Sequence, residues 1–406
     1  MTESLSTPAV AGRPNKPGGR KGSSGAMIVM RIASLIALIA LVACYFAPVW
    51  WVALTAPNYP PQTFPDGVRI NFHVNRISNG CEVRKNAEVV EKEALDCVHE
   101  MDTINHFVGM YPIASGGPVE KLLSPFLFSF LGVLIVGFAL PGRALRLGVM
   151  ALGFLGIAAW MSMALFGANG VRYLDRGWVA GLVDSLGRAE DEGASENLDP
   201  VVKRLKESLA QSHIGDTAPA KVEADAGKDR LIEVLKTVYD AKAPVSLSEP
   251  APEWSGRGID VMGWHYEESL GRWFNEPAKN AHLVSIMKST VYVVYGAMLA
   301  AMLVFLWLGA RGRSVLFYAL GLVPMVLPIA FVIEYAAWLW WYGHSLNAMG
   351  AFTLKPFMPT VFGDGKVAQF TTHSYPYIGF GLMCVVALAM AVAVLSRRAA
   401  PDAAKV

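Results

Sequence analysis

The sequence predicts a mainly α-helical membrane protein, built as a six-helix transmembrane bundle with a cap of outer loops. Hydrophobic residues make up 53% of the chain and charged residues only 17%, below the roughly one quarter that is usual in soluble domains. The hydrophobic residues also form continuous runs, and about 20 apolar residues are enough to cross a bilayer. The lipid bilayer is therefore a predicted partner. The net charge is only +2, which gives no strongly basic surface, so nucleic acid is not a predicted partner.

Six runs have the length and the apolar character of membrane spans. The predicted spans are 27–52, 122–141, 147–167, 285–309, 314–340 and 376–396. They leave tails at 1–26 and 397–406, and three long connecting segments at 53–121 (first), 168–284 (second) and 341–375 (third).

Lysine and arginine in the short flanks predict the orientation, because such residues accumulate on the cytoplasmic side. If six spans alternate, every basic flank falls on one side. These residues are Arg13, Lys16, Arg20, Lys21, Arg143, Arg146, Arg311, Arg313, Arg397 and Arg398. The sequence therefore predicts a multi-pass protein of the bacterial inner membrane, with cytoplasmic termini and three periplasmic connecting segments.

The first span contains a second pattern, Leu-Val-Ala-Cys at 41–44, which matches a bacterial lipobox. Cys44 would then be lipidated after cleavage, whereas in an ordinary span it is a packing residue. The apolar run continues beyond Cys44 to Trp50 and Trp51, which favours a span over a signal peptide.

The first connecting segment is predicted to hold a small α/β structure. Apolar residues alternate with polar ones at Val68, Ile70, Phe72 and Val74, which is typical of a half-buried strand. Cys81 and Cys97 flank a polar stretch in a compartment where thiols tend to be oxidised, so a disulfide is predicted. In the chain-entropy model, closing such a loop contributes roughly 3 kcal/mol.

A polar cluster follows Cys97 and supplies metal-ligand candidates. On one helix, His106 and Met110 would share a face at i and i+4, with His99 seven residues before His106. Histidine with methionine is a soft, neutral ligand set that suits Cu(I), and Met101 is a weaker candidate. The alternative is a loop docked on the membrane, in which these polar groups only satisfy the backbone.

The second connecting segment is predicted to be helical. One helix begins at Asp199 and Pro200, a favoured pair for an N-cap and first helical position. A second contains four apolar residues at helical spacing, Leu231, Val234, Leu235 and Val238. Three further residues are predicted either as ligands or bases or as the capped start of a helix, namely His265, Glu267 and Glu268. Phosphate-loop, nucleophile-elbow and zincin motifs are missing, which disfavours an enzyme and leaves no residue predicted to be catalytic.

The third connecting segment is rich in glycine, proline and polar residues, so it is predicted to be irregular. His344 and His373 are its main metal-ligand candidates, and Met349 is a weaker one. Glu334 lies just inside the preceding span. An ionisable residue inside a span usually indicates a functional site. The alternative is that the Glu334 carboxylate simply reaches water.

Several motifs resemble those of a poorly characterised bacterial polytopic membrane family. Residues 104–110, Ile-Asn-His-Phe-Val-Gly-Met, resemble its Asn-His-Tyr-Ile-Gly-Met motif, and residues 342–347, Tyr-Gly-His-Ser-Leu-Asn, resemble its Tyr-Gly-His-Asn-Leu-Asp motif. Trp50 with 56–60, and 370–379, resemble two further elements. The resemblance covers the first and third connecting segments but not the second. Asn347 and Ala348 depart from it, since the family has an acid and then a proline there.

The resemblance implies a function in copper handling, because the family is associated with nitrous oxide reductase and copper-handling gene clusters of denitrification. It implies an accessory protein that binds or relays copper at the periplasmic face for assembly of a respiratory copper enzyme. Copper would then be the cofactor, held where His106 and Met110 meet His344 and His373. The alternatives are a structural or docking subunit with no metal of its own and, third, a transporter.

Overall fold

The structure is a computed structural model that describes residues 20–82, 95–193, 227–242, 253–311, 314–352, 354–367 and 369–399. The predicted helix start at Asp199, Arg313 and most of both tails lie outside these residues. The α-helices are α1 Arg20–Phe46, α2 Cys97–Phe107, α3 Pro118–Ala139, α4 Arg143–Phe166, α5 Arg176–Gly193, α6 Lys228–Lys242, α7 Gly258–Trp273, α8 Pro277–Ala310, α9 Ala319–Met325, α10 Leu327–His344 and α11 Ile378–Ala399. The strands are β1 Trp50–Thr55, β2 Val68–Phe72, β3 Ile77–Asn79, β4 Gly363–Val367 and β5 Phe370–Pro376.

The predicted membrane protein is confirmed in its coarse features. Within the described ranges, five helical stretches are long and apolar enough to cross a membrane. They are Gly25–Phe46, Ile113–Ala139, Arg143–Phe166, Pro277–Ala310 and Ile378–Ala399. The fold is mainly helical, as predicted, and carries one small antiparallel sheet.

The run predicted as one continuous span at 314–340 is broken. Val315–Met325 and Leu327–His344 pass the length and hydropathy test only as a pair, with a bend of 53° between them. Pro324 and Pro328 flank the break. Proline has no N–H and its ring clashes with the carbonyl four residues earlier, which interrupts the helical hydrogen bonds here.

A five-stranded antiparallel sheet in the order β3-β2-β1-β5-β4 joins the first apolar helix, α1, to the last, α11. Strand β1 follows α1 directly and pairs with β5, which leads directly into α11. The approach is close: Gly379 N donates to Pro48 O over 2.7 Å, and a Cβ on Gly379 would lie only 2.8 Å from that oxygen.

The first span is therefore shorter than the predicted 27–52. Helix α1 ends at Phe46, and Trp50 and Trp51 belong to β1 rather than to the span. Trp50 is buried, and its Nε1 donates to Ser374 Oγ over 2.9 Å. β-branched and aromatic residues favour strands, so an apolar run does not by itself separate the end of a helix from a buried strand.

The first connecting segment contains the predicted strand and disulfide. Strand β2 covers Val68–Phe72, although Val74 lies beyond it. Cys81 and Cys97 are bonded, and the bond attaches the first residue of α2 to the chain that leaves β3. Asp96 caps α2, since its Oδ1 accepts hydrogen bonds from Val98 N and His99 N.

The second connecting segment is helical where the structure describes it. Leu231, Leu235 and Val238 form the buried stripe of α6, which packs against α5 and confirms the predicted amphipathic helix. His265 does not start a helix, as one alternative held, but lies in the middle of α7. It is buried there, with Nε2 at 2.6 Å from Ser185 Oγ and 3.1 Å from Leu182 O.

The third connecting segment is more regular than predicted, because 363–376 forms the hairpin β4–β5. Ser374 is fully buried and joins this hairpin to the bundle. Its hydroxyl donates to Val361 O, accepts from Trp50 and lies 3.3 Å from Tyr335 OH. The sheet is thus fixed to α10 as well as to α1 and α11.

Candidate functional site

The first and third connecting segments meet, as the copper hypothesis requires. Asn347 N donates to Gly109 O over 2.7 Å, and Phe352 N donates to Phe107 O over 3.0 Å. Gly109 has a φ of +80°, which favours glycine, and a Cβ there would lie 2.5 Å from Asn347 O. Two motifs far apart in the sequence are therefore joined through their backbones.

His106 lies at the end of α2, in an aromatic environment. Its ring centroid is 5.0 Å from that of Phe274 and 5.5 Å from that of Trp273. Burial lowers the pKa of His106, which favours the neutral form of the imidazole. Its Nδ1 is buried and makes no hydrogen bond within the described residues.

Met110 does not share a helical face with His106. Helix α2 ends at Phe107, and Met110 N donates instead to Asn105 O as the chain turns away. The Met110 side chain is buried in the apolar core between the sheet and the helices. The prediction of an i, i+4 ligand pair is therefore wrong in its geometry, because a glycine in a left-handed conformation separates the two residues.

His344 is exposed at the end of α10. Its ring stacks on Trp340 with centroids 4.5 Å apart, and its Nδ1 lies 2.8 Å from Trp340 O. These contacts are local, within one helical turn.

His373 points away from α2. In β5, Thr372 lines a small cavity together with Met101 and Asn105 of α2, and Ser374 is buried against Tyr335. Neighbouring side chains of a strand face opposite sides, so His373 projects from the other face of the sheet.

On that opposite face, His373 forms a pair with Asp364. His373 Nδ1 lies 2.7 Å from Asp364 Oδ1, and Nε2 lies 3.2 Å from Thr55 Oγ1. The hydrogen bond from His373 lowers the pKa of the Asp364 carboxyl.

The predicted copper ligands are thus distributed over different environments. In the part of the chain that the structure describes, no group of three or more His, Cys, Asp and Glu side chains has the geometry to hold a metal ion. His106, His344 and His373 do not converge as expected. Copper binding itself stays a prediction.

The weaker metal-ligand candidates mostly make packing and hydrogen-bond contacts. His99 stacks on Trp273 with centroids 5.7 Å apart, and its Nε2 lies 3.3 Å from Thr103 Oγ1. Met101 is buried in the core, whereas Met349 is 51% exposed. Glu334 faces a cavity, described below.

Asn347 is buried and hydrogen-bonded to a carboxylate. Its Nδ2 donates to Glu276 Oε2, and its Oδ1 accepts from Met349 N over 2.8 Å. The hydrogen bond from Asn347 lowers the pKa of the Glu276 carboxyl. A carboxylate is therefore present beside this position, but it comes from the second connecting segment.

A cavity of about 340 Å³ lies between α3, α8 and α10, beneath the turn that joins β2 to β3. Its lining is mostly apolar, and the exposed residues Leu127 and Ala330 mark its opening on the outer surface of the helices. A concave apolar pocket with few polar groups is the usual form of a small-molecule site. Glu120, Lys121 and Glu334 are its charged lining residues.

The two neighbouring charges of α3 are only partly paired. Glu120 Oε1 accepts from Trp338 Nε1 over 3.1 Å, but Oε2 is buried and has no hydrogen-bond partner among the described residues. Lys121 Nζ donates to Ala114 O over 2.7 Å. The sequence prediction missed both residues because it began the second span at 122 and so assigned them to a connecting segment. An acid and a lysine two and three residues after Pro118, in the first turn of an apolar helix, were the available signal.

No family model, curated protein or solved structure matches this chain.

Proposed function

We propose that this protein is an accessory protein of the bacterial inner membrane whose periplasmic cap docks on a respiratory copper enzyme. In this proposal the bent pair α9–α10 counts as one of six spans, and both termini are cytoplasmic. Contacts between basic residues and helix ends support the prediction that the basic flanks lie on the same side of the membrane. Arg146 Nε donates to Gly309 O over 2.9 Å, and an Arg397 guanidinium nitrogen donates to Leu140 O over 3.3 Å.

The observation that carries the docking function is an aromatic patch, formed by Phe107, Met349 and Phe352. Their side chains are 48%, 51% and 62% exposed, and a backbone hydrogen bond from Phe352 N to Phe107 O joins the two phenylalanine positions. Aromatic residues and methionine are enriched where proteins bind one another. The patch lies on the joined connecting segments, which the sheet fixes to the bundle, so a bound partner would be held in a defined position.

Co-purification tests this proposal. The tagged full-length protein is solubilised from native membranes, and the copper enzyme is quantified in the eluate for wild type and for a Phe107→Ser, Phe352→Ser variant. We expect the variant to recover at least about tenfold less enzyme, since a few apolar anchors carry most of the binding energy. Tyr173→Ser is the control, because Tyr173 is also 50% exposed but lies in the second connecting segment. Equal recovery by all three proteins would rule out docking through this patch.

Copper relay is the second candidate, and one observation favours it. The neutral imidazole of His106 has an unpartnered nitrogen, which is the form that binds a metal. Copper content and Cu(I) titration of wild type are compared with a His106→Ala, His344→Ala variant. The relay predicts a tight site that the variant lacks. A copper-free wild type without a tight Cu(I) site would exclude it, while docking would be unaffected.

A further inference from the structure

The cavity between α3, α8 and α10 combines an apolar wall with acidic side chains. Its α8 side consists of Thr290, Val294 and Met298, which are half-buried and lie within an apolar stretch of membrane-spanning length. A chain of methylene groups would be well solvated against such a wall. Because the opening faces the side of the helices that lipid would cover, access from the bilayer requires no passage through water.

The charged groups give the cavity a preference for hydrogen-bond donors. Glu334 is exposed to it, Glu120 lines it, and Lys121 is the only cation among its described lining residues. Two carboxylates facing one low-dielectric space repel each other unless a donor or a cation lies between them. Charged residues inside spans are costly and commonly mark a pathway or a binding site.

The unpaired oxygen of Glu120 gives the second, independent indication. Leaving a buried carboxylate oxygen without a hydrogen bond costs free energy. Glu120 lines the cavity and Trp338 donates to its Oε1, so Oε2 is the oxygen left to accept a hydrogen bond. A donor on a bound molecule would satisfy it.

We propose that this cavity binds an amphiphile from the bilayer, with its apolar tail along α8 and its hydrogen-bond-donating head group against Glu120 and Glu334. The ammonium of an aminophospholipid and the hydroxyls of a quinol share this chemistry. Phosphatidylcholine and a quinone have similar tails but no N–H or O–H donor on the head, so they serve as matched ligands. The site is independent of the aromatic patch and of any metal.

Native mass spectrometry of the delipidated full-length protein tests the proposal. The protein is titrated separately with phosphatidylethanolamine, phosphatidylcholine, ubiquinol and ubiquinone. We expect one donor-bearing ligand to bind at least about tenfold more tightly than its donor-free counterpart, as for a hydrogen bond to a charged group. The pair that shows the preference identifies the source of the head group.

Three variants separate a specific site from general lipid adhesion. Glu120→Gln keeps the size of the side chain but removes the charge, and it should abolish the preference for the donor-bearing ligand. Ala330→Trp fills the opening and should weaken binding of the whole molecule, whereas Asp229→Asn on the exposed surface of α6 should change neither. The proposal fails if wild type shows no preference within either ligand pair, or if Glu120→Gln and Ala330→Trp both bind as wild type does.

Discussion

At the scale of single residues, burial decides which histidines can carry charge. His73 follows β2 and lines the edge of the cavity, with Nε2 at 3.1 Å from Ser78 Oγ. Burial lowers the pKa of His73 to about 4, with a smaller contribution from the positive charge of Arg76. The side chain is therefore neutral at pH 7 and serves as a polar packing residue in a place where a cation would be costly.

This shift predicts that acid destabilises the protein through His73. The folded pKa, about 4, lies below the ordinary value of 6.5, so between these values the unfolded chain binds a proton that the folded chain does not. Stability is thus unaffected above about pH 6.5 and falls as the pH drops toward 4, by at most about 3 kcal/mol. Apparent melting temperatures in detergent at pH 7.5 and 5 measure the effect.

The matched variants are His73→Gln and His282→Gln, since His282 is exposed on α8. We expect His73→Gln to reduce the loss of stability at pH 5, and His282→Gln to leave it as in wild type. The same loss in His73→Gln as in wild type would show that other groups titrate instead.

At the scale of secondary-structure elements, the sequence predicted the presence of helices better than it predicted where helices end or where strands form. Long apolar runs and the stripe of Leu231, Leu235 and Val238 mark helices directly, because the period is local. Strand β4, with the sequence Gly-Asp-Gly-Lys-Val, has no apolar alternation. It forms because β5 pairs with it and with β1, which lies more than 300 residues earlier in the chain.

The predicted geometry of the metal site was wrong because it, too, depends on where elements end and how distant strands pair. The i, i+4 spacing of His106 and Met110 would place both on one face only if the helix continued, and the helix stops at Phe107. The face on which His373 lies depends on the register of β5 against β1. Only the meeting of the first and third connecting segments was predictable, because the six-span topology places both segments on the same side of the membrane.

The turn at Gly109 is the element that joins those segments, so its substitution should loosen both. In Gly109→Ala the added Cβ would meet Asn347 O at 2.5 Å and force a side chain into φ +80°. A left-handed conformation alone costs roughly 1–2 kcal/mol. We expect a lower apparent melting temperature and faster amide exchange at Asn347 and Phe352, measured by hydrogen–deuterium exchange mass spectrometry.

Gly271→Ala is the appropriate control, because Gly271 is exposed on α7 and an added Cβ meets nothing within 4 Å. Alanine is a better helix former than glycine by about 1 kcal/mol, so this variant should be as stable as wild type or more so. Unchanged exchange at Asn347 in Gly109→Ala would mean that the two segments are not coupled through this turn.

At the scale of the whole molecule, the docking and copper proposals share one requirement, which is that the joined segments face the periplasm. The basic residues at the turns of the bundle predict this orientation, and cysteine labelling measures it. Lys355→Cys and Arg143→Cys are introduced singly at exposed positions, one in the third connecting segment and one at the first residue of α4. Cys44 and Cys384 are replaced by serine in both variants, so that the other two cysteines, Cys81 and Cys97, are both held in the disulfide.

A membrane-impermeant maleimide should label Lys355→Cys in intact spheroplasts and Arg143→Cys only after the membrane is opened. Labelling of Arg143→Cys alone in intact spheroplasts would invert the topology and remove both periplasmic functions, whereas ligand binding in the cavity, which depends on the bilayer and not on its sidedness, would stand.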